Sequence, residues 1–173
     1  PTRRSSDLLK SVSVSTRGKD EIGISPHPLK KICQQDSRSD AVGYGLKKGS
    51  IDACREKGAQ LIVTVDCGIG SVGEIAYARE LGIDVVVTDH HEPEGELPSC
   101  CAVINPKRTD SQYPFQEIAG VGVAFKLAHA ILKKCKNDGL AKYNTDIDLR
   151  EYLDLVCMGT IADVCPLVDE NRI

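Results

Sequence analysis

Five ionisable side chains stand where a packed core would not put them. The run DVVVTDHHEPEG, residues 84–95, leads three valines into Asp89, His90 and His91. β-Branched apolar residues suit a buried strand, whereas three consecutive titratable groups pack poorly and bind cations well. Asp66 closes a similar run, LIVTVD, 23 residues before Asp89. Asp163 lies in GTIADVCPL among apolar neighbours, where a carboxylate is costly unless paired or metal-bound. Carboxylate oxygens with imidazole nitrogens suit Mn, Mg or Fe better than a thiolate site would. A strand-end Asp taken singly is more often a turn or cap residue, and Asp163 reads equally well as a helix-end residue facing solvent. Two histidines directly after a strand, beside a second strand-end Asp, tip the reading toward a cation site.

The elements that must position these groups follow from the flanking pattern. KKGSIDACREKG (47–58) reads as a helix closed by Gly58, and AQLIVTVD (59–66) as a strand. After a turn at CGIG, SVGEIAYARELG (71–82) reads as a second helix, with Ser71 and Glu74 spaced as a capping box and Gly82 at its end. IDVVVTD (83–89) is the next strand, and CAVIN (101–105) a short third one stopped by Pro106. Strand, helix, strand at this spacing is a βαβ unit with parallel strands. The strands lack alternation, as expected when both faces are covered. The fold class is therefore α/β, a parallel sheet with helices on both faces. Carboxyl ends of parallel strands share one edge, where ligand sites gather, so Asp66 and the Asp-His-His triplet are predicted neighbours. GVGVAFKLAHAILKKCK (120–136) and DLREYLDLVCMGTIAD (148–163) predict two further helices, the second ending before Pro166. Gly120 and Gly122 open the first of these, either to offer amides to a phosphate or to pack closely.

The chain has 173 residues and 41% hydrophobic content, which fits one soluble globular domain, or one plus a fragment. It contains no apolar run near the ~18 residues that a membrane helix needs, and no secretory signal pattern opens it. A cytoplasmic location is expected. The net charge of −3 is uneven: residues 1–60 hold 12 Lys/Arg against 7 Asp/Glu, whereas residues 61–173 hold 10 against 18. The candidate cation ligands thus sit in the acidic part. Eight cysteines form no C-x-x-C pair, which argues against structural zinc and for reduced thiols. Cys135 and Cys157 fall in apolar helical patterns and are expected to act as small hydrophobes. Residues 1–36 show no sustained period, and PTRRSSDL (1–8) resembles a translated sequencing adapter. A disordered or non-native leader is expected there, followed by a partial catalytic domain over 37–173.

VDCGI, TDHH and GTIADVCPL, in this order, resemble the DHH phosphoesterase superfamily, and within it the RecJ branch of single-stranded-DNA-specific exonucleases. SRSDAVGYGL, AVINPKR and IAGVGVAFKLA are similar to the same branch, so the resemblance runs from about Ser37 to Ile173. It implies a phosphodiesterase that removes nucleotides from the 5′ end of single-stranded DNA with two Mn2+ or Mg2+ ions, in DNA repair and recombination. Carried over, Asp66, His90 and Asp163 are the metal ligands. Asp89 and His91 are the catalytic pair, with His91 at the scissile phosphate. Arg38, Tyr44, Lys107 and Arg108 are candidates to contact nucleic acid; loop surface for Arg38 and packing for Tyr44 explain those two equally well. Single-strand-binding protein or a helicase as partners, and a monomer, are expected on the same ground. The branch's first motif, an Asp-x-Asp-type run before GYGL, is not in the chain, nor is its C-terminal substrate-binding domain. An internal fragment, inactive alone, is therefore expected. The alternatives are another superfamily phosphoesterase, such as a nanoRNase or cyclic-dinucleotide phosphodiesterase, and a non-catalytic replication scaffold. Several nanoRNase-like members carry Asn where Glu94 stands here.

Overall fold

The computed structural model describes residues 45–139 and 147–172. The expectations for residues 1–36, Arg38 and Tyr44 lie outside them. The described order is α1 (Lys48–Glu56), β1 (Leu61–Val65), α2 (Val72–Glu80), β2 (Asp84–Thr88), β3 (Ala102–Ile104) and α3 (Gly120–Asn137). A 3-10 turn over Leu149–Tyr152, α4 (Leu153–Ala162) and a last 3-10 turn over Asp169–Arg172 follow.

Among the described residues the strands form one parallel sheet in the order β1-β2-β3. Its register pairs Val65 with Thr88 and Thr88 with Ile104, so the three strands end level. The ladder continues one residue further: the Asp66 amide donates to the Thr88 carbonyl and the Asp89 amide to the Ile104 carbonyl, both at 3.0 Å. Asp66, Asp89 and Asn105 therefore stand side by side along one edge.

Helices cover both faces, as the lack of alternation predicts. On one face Val85 and Val87 pack with Ile51 of α1, Ile75 and Ala78 of α2, and Ile83. Burying each large side chain of this kind stabilises by about 1.5–3 kcal/mol. The Tyr77 hydroxyl donates to Asp52 at 2.7 Å and ties α2 to α1. On the other face Ile104 joins Phe115, Ile118 and Val123, which seats the first turns of α3 over the strand ends. Gly58 and Gly82 take φ +75° and +73° behind α1 and α2, as their placement in sequence implies.

Three local expectations differ from the structure. Ser71 precedes α2 but makes no side-chain cap, because its ψ of 47° is not the extended conformation that aims a cap hydroxyl back at the helix. The helix expected over 148–163 is split: the Asp148 carboxylate accepts the Arg150 amide at 3.0 Å and holds a 3-10 turn, so α4 begins only at Leu153. Cys135 is buried, but Cys157 is exposed, because α4 is apolar all round and no described element covers that side. Met158 and Ile161 on α4, and Val164 and Leu167 beyond it, are exposed with it.

Candidate metal centre

The edge built by the level strand ends gathers the chemistry. Asp66 leaves β1 with φ 62°, a left-handed turn that Asp tolerates better than the β-branched residues before it. His90 follows β2 directly, and its Nε2 lies 3.1 Å from Asp66 Oδ1 and 3.7 Å from Asp163 Oδ2.

No local rule brings Asp163 here; helix packing does. Gly159 of α4 lies so close to α3 that a Cβ there would sit 2.5 Å from Val121 Cγ1. Asp163 is the C-cap of α4, with its amide bonded to the Gly159 carbonyl at 2.9 Å. The chain then reverses in a Schellman arrangement: Val164 donates to the Ile161 carbonyl and Cys165 to the Thr160 carbonyl, both at 3.1 Å. Glycine normally fills the left-handed position of this motif, yet here Val164 takes it at φ 54°. Beyond the turn, Tyr113 donates to Glu170 at 2.7 Å and Asn171 Nδ2 to the Glu117 carbonyl at 2.7 Å, pinning the segment back on the loop before α3.

Asp89 is buried and its carboxylate faces inward to the loop. Oδ2 accepts the Ile69 amide at 2.9 Å, and Oδ1 accepts the His90 amide at 2.8 Å, the His91 amide at 3.2 Å and His91 Nδ1 at 2.6 Å. An ionised carboxylate only accepts, so Nδ1 carries the proton and Nε2 is the basic nitrogen of His91. Asp89 thus orients His91, as carboxylates orient metal-binding histidines. The other end of the loop is held by Asn105, also buried. Its Nδ2 donates to the His91 carbonyl at 2.9 Å and its Oδ1 accepts the Lys107 amide at 2.8 Å.

The electrostatics are those of a cluster short of positive charge. The His90 imidazole is pushed above its ordinary value, first by its hydrogen bond to Asp66 and then by the Asp66, Asp163 and Asp89 charges, against an opposing burial effect. Burial pushes the Asp163 carboxyl up, Asp66 adds to this, and His90, His91 and the Gly120 amide at the start of α3 oppose it. The Cys67 thiol is pushed up to about 11 by burial and by the Asp89 and Asp66 charges. Ligand atoms of Asp66, His90 and His91 lie within 4.8 Å of one another, and so do those of His90, Asp163 and Cys165.

The structure therefore brings Asp66, His90, His91 and Asp163 together with Asp89 behind them. Lys107 stands near the same edge, with Nζ 3.3 Å from Glu92 Oε1. Arg108 is engaged within the protein, donating to the Val103 carbonyl and to Asp110. Gly120 serves close packing, since a Cβ there would lie 2.3 Å from Asp66 Oδ1. Sequence reasoning missed Asn105, whose signal was an Asn ending a strand before Pro106. It also missed Cys165, two residues past the expected ligand Asp163.

A parallel α/β sheet with Asp and His donors converging at its carboxyl edge defines a candidate cation-binding domain. Residues 5–160 match the model of the DHH family, N-terminal domain. The chain belongs to the DHH family. It is 49% identical over 131 residues to the single-stranded-DNA-specific exonuclease RecJ of Bacillus subtilis, covering 76% of this chain and 15% of that protein. It is 49% identical over 133 residues to the exonuclease of the same name from Escherichia coli, covering 76% and 23%. Among solved structures, exonuclease RecJ bound to manganese superimposes with a TM-score of 0.62 at 34% identity, over 76% of this chain and 31% of that one. The chain thus spans 15% and 23% of the length of these two curated relatives.

Proposed function

We propose that Asp66, His90 and Asp163 hold a divalent ion, Mn2+ or Mg2+, and that the domain serves a phosphodiesterase degrading single-stranded DNA from the 5′ end. One observation carries the reading. Side chains separated by 24 and 73 positions converge on His90 Nε2, at 3.1 and 3.7 Å, and set two carboxylates on one imidazole. The donor set fits a hard or borderline divalent ion, which oxygen and imidazole nitrogen prefer. Burial, with the Asp66 charge adding to it, raises the Asp163 carboxyl, and a bound cation would offset both. His90 Nε2 faces Asp66 on one side and Asp163 on the other, which supports two adjacent ion positions with His90 going to one or the other.

When bound, such ions polarise the phosphoryl oxygen and activate water at neutral pH. The chain's own residues do the rest. Asp89 fixes the His91 tautomer, so that Nε2, when protonated, donates to a non-bridging phosphate oxygen. Asn105 holds the loop that carries both histidines. Lys107, paired with the exposed Glu92, is the candidate to meet the next phosphate, and Arg108 is engaged by Val103 and Asp110. Preference for single strands and 5′ polarity rests on the resemblance to the RecJ branch, as do the roles of Arg38 and Tyr44. Single-strand-binding protein or helicase partners, a monomeric state and a cytoplasmic location are proposed on the same basis. No helix among the described residues is long and apolar enough to cross a membrane.

The test uses the protein extended to the length of its curated relatives, with single-stranded DNA labelled at either end. Mn2+-dependent loss of the 5′ label as mononucleotide is expected, abolished by EDTA and by His90→Ala or Asp163→Ala. Undiminished cleavage in EDTA, or a fully active His90→Ala protein, would overturn the reading.

A further inference from the structure

Two buried threonines interrupt the valine runs of the sheet. Thr64 stands in β1 between Val63 and Val65, and Thr88 ends β2 after Val87. They are 5% and 0% exposed. Valine has nearly the same shape, and a buried hydroxyl is costly unless it is bonded, so packing does not call for threonine at either place. Both hydroxyls are used, and both act on the turn that carries Asp66. Thr88 Oγ1 donates to the Thr64 carbonyl at 2.6 Å, and Thr64 Oγ1 donates to the Cys67 carbonyl at 2.7 Å. The second bond closes the chain over Asp66, from the strand before it to the residue after it. Gly68, at φ 110°, sits on the same hydroxyl, which a Cβ there would meet at 2.9 Å.

We infer that Thr64 is the positioning residue of Asp66: its hydroxyl holds the left-handed turn that presents the Asp66 carboxylate to His90, and so sets the strength of metal binding in the crevice. This rests on the reading of the crevice as a metal centre, but not on DNA as substrate. A left-handed φ in a residue other than glycine persists only where the surroundings over-determine it, and Asp66 stands at φ 62°. One restraint acts on its amide, which donates to the Thr88 carbonyl at 3.0 Å. The Thr64 bond is the restraint on the other side. The rest of the loop is tied as well: the Ile69 amide donates to Asp89 Oδ2 at 2.9 Å and the Ser71 amide to the Gly68 carbonyl at 3.0 Å. A valine at 64 would set a methyl against the Cys67 carbonyl, with no proton to offer it. That carbonyl would turn toward another donor, and the turn would relax around Asp66. Metal ligands must be held within about 0.5 Å of their productive geometry, so the relaxation is felt at the ion before it is felt in the core.

The experiment uses the 173-residue chain and titrates Mn2+ into wild type, Thr64→Val, Thr64→Ser and Ile51→Val, with electron paramagnetic resonance separating free from bound ion. Thr64→Val keeps the shape and loses the hydroxyl, so Mn2+ affinity should fall about tenfold or more, the scale of losing a group that supports a ligand. Thr64→Ser restores the hydroxyl and should bind as wild type does. Ile51→Val thins the buried core at α1 and leaves the turn intact, so its affinity should be unchanged. Wild-type affinity in Thr64→Val, no recovery in Thr64→Ser, or an equal loss in Ile51→Val would overturn the inference. A second arm needs no metal. Amide exchange at Asp66 and Ile69 should quicken in Thr64→Val relative to the amides of Val85–Val87, and return to the wild-type rate in Thr64→Ser. Exchange that is unchanged, or faster by the same factor throughout, would also overturn it. Tight Mn2+ binding by wild type that Thr64→Val matches would defeat the positioning role alone. Absence of Mn2+ binding in all four proteins would defeat the metal-centre reading beneath it, and the positioning role with it.

Discussion

Replacing Gly120 with alanine perturbs the centre without replacing any of its ligands. The added Cβ would lie 2.3 Å from Asp66 Oδ1, 2.6 Å from its Cγ and 2.7 Å from its Cβ. Ordinary contact needs about 3.5 Å or slightly less, so roughly 1 Å must be recovered. Asp66 cannot yield through its backbone, which is held at φ 62° with its amide on the Thr88 carbonyl. The helix cannot yield freely either, because Val121 is seated on Gly159 of α4, whose C-cap is Asp163. Either the Asp66 carboxylate swings away from His90 or α3 and α4 shift together. Overpacking of this kind costs about 1–3 kcal/mol. A displacement of about 1 Å is half the length of a metal–oxygen bond, so Mn2+ affinity should fall about 10–100-fold, as when supporting groups are lost. Urea unfolding of the metal-free chain and calorimetric titration with Mn2+ measure the two effects. Gly73→Ala in α2 is the control, since nothing lies within 4 Å of its added Cβ. That change should stabilise by about 0.4–1 kcal/mol and leave Mn2+ binding alone. Equal stability and equal Mn2+ affinity for Gly120→Ala and wild type would refute the close-packing account of the centre.

Asn105→Ala strands the His91 carbonyl and the Lys107 amide. It should cost about 1–3 kcal/mol, with faster hydrogen exchange at the Lys107 amide, and unchanged exchange there would contradict the clamp. Val164→Gly should stabilise by about 1 kcal/mol, because Val164 is exposed and holds a left-handed φ that glycine takes without strain; a loss of thermal stability would count against the strain. For the metal-free chain, the raised His90 value means that its contribution is full below the unfolded value of 6.5 and is lost as pH rises through the higher folded value. Melting temperature should therefore fall over that window in wild type and stay flatter in His90→Asn. Mn2+ must displace the same proton, so its affinity should rise with pH over the same window, and a pH-independent affinity would exclude His90 as a ligand.

Much of the fold was legible because its signals are local. Uninterrupted Val and Ile runs, helix-sized intervals and terminal glycines specify β1, α2 and β2, and parallel pairing then puts Asp66 beside Asp89 with no further information. The position of Asp163 was legible only through resemblance, since it depends on α4 packing against α3 at Gly159 and Val121. What sequence hid was tertiary or conformational. The Asp148 turn competes locally with the helix and delays α4 to Leu153. Ser71 and Glu74 have capping-box spacing, but the backbone at Ser71 does not present the hydroxyl. Asn105 looks like an ordinary turn residue until the His91 carbonyl is placed above it. Cys165 drew no role from sequence, and only the reversal through the left-handed Val164 brings its sulfur within 4.8 Å of ligand atoms of His90 and Asp163.

The central claim is that Asp66, His90 and Asp163 are ligands of one metal centre. Anomalous diffraction at the manganese edge, from crystals of the chain soaked in Mn2+, tests it most directly. The account predicts a peak in the crevice, with His90 Nε2 and carboxylate oxygens of Asp66 or Asp163 at roughly 2.0–2.2 Å, as for zinc and magnesium. A manganese peak elsewhere, with His90 Nε2 still resting directly on Asp66 Oδ1 at saturating Mn2+, would contradict it.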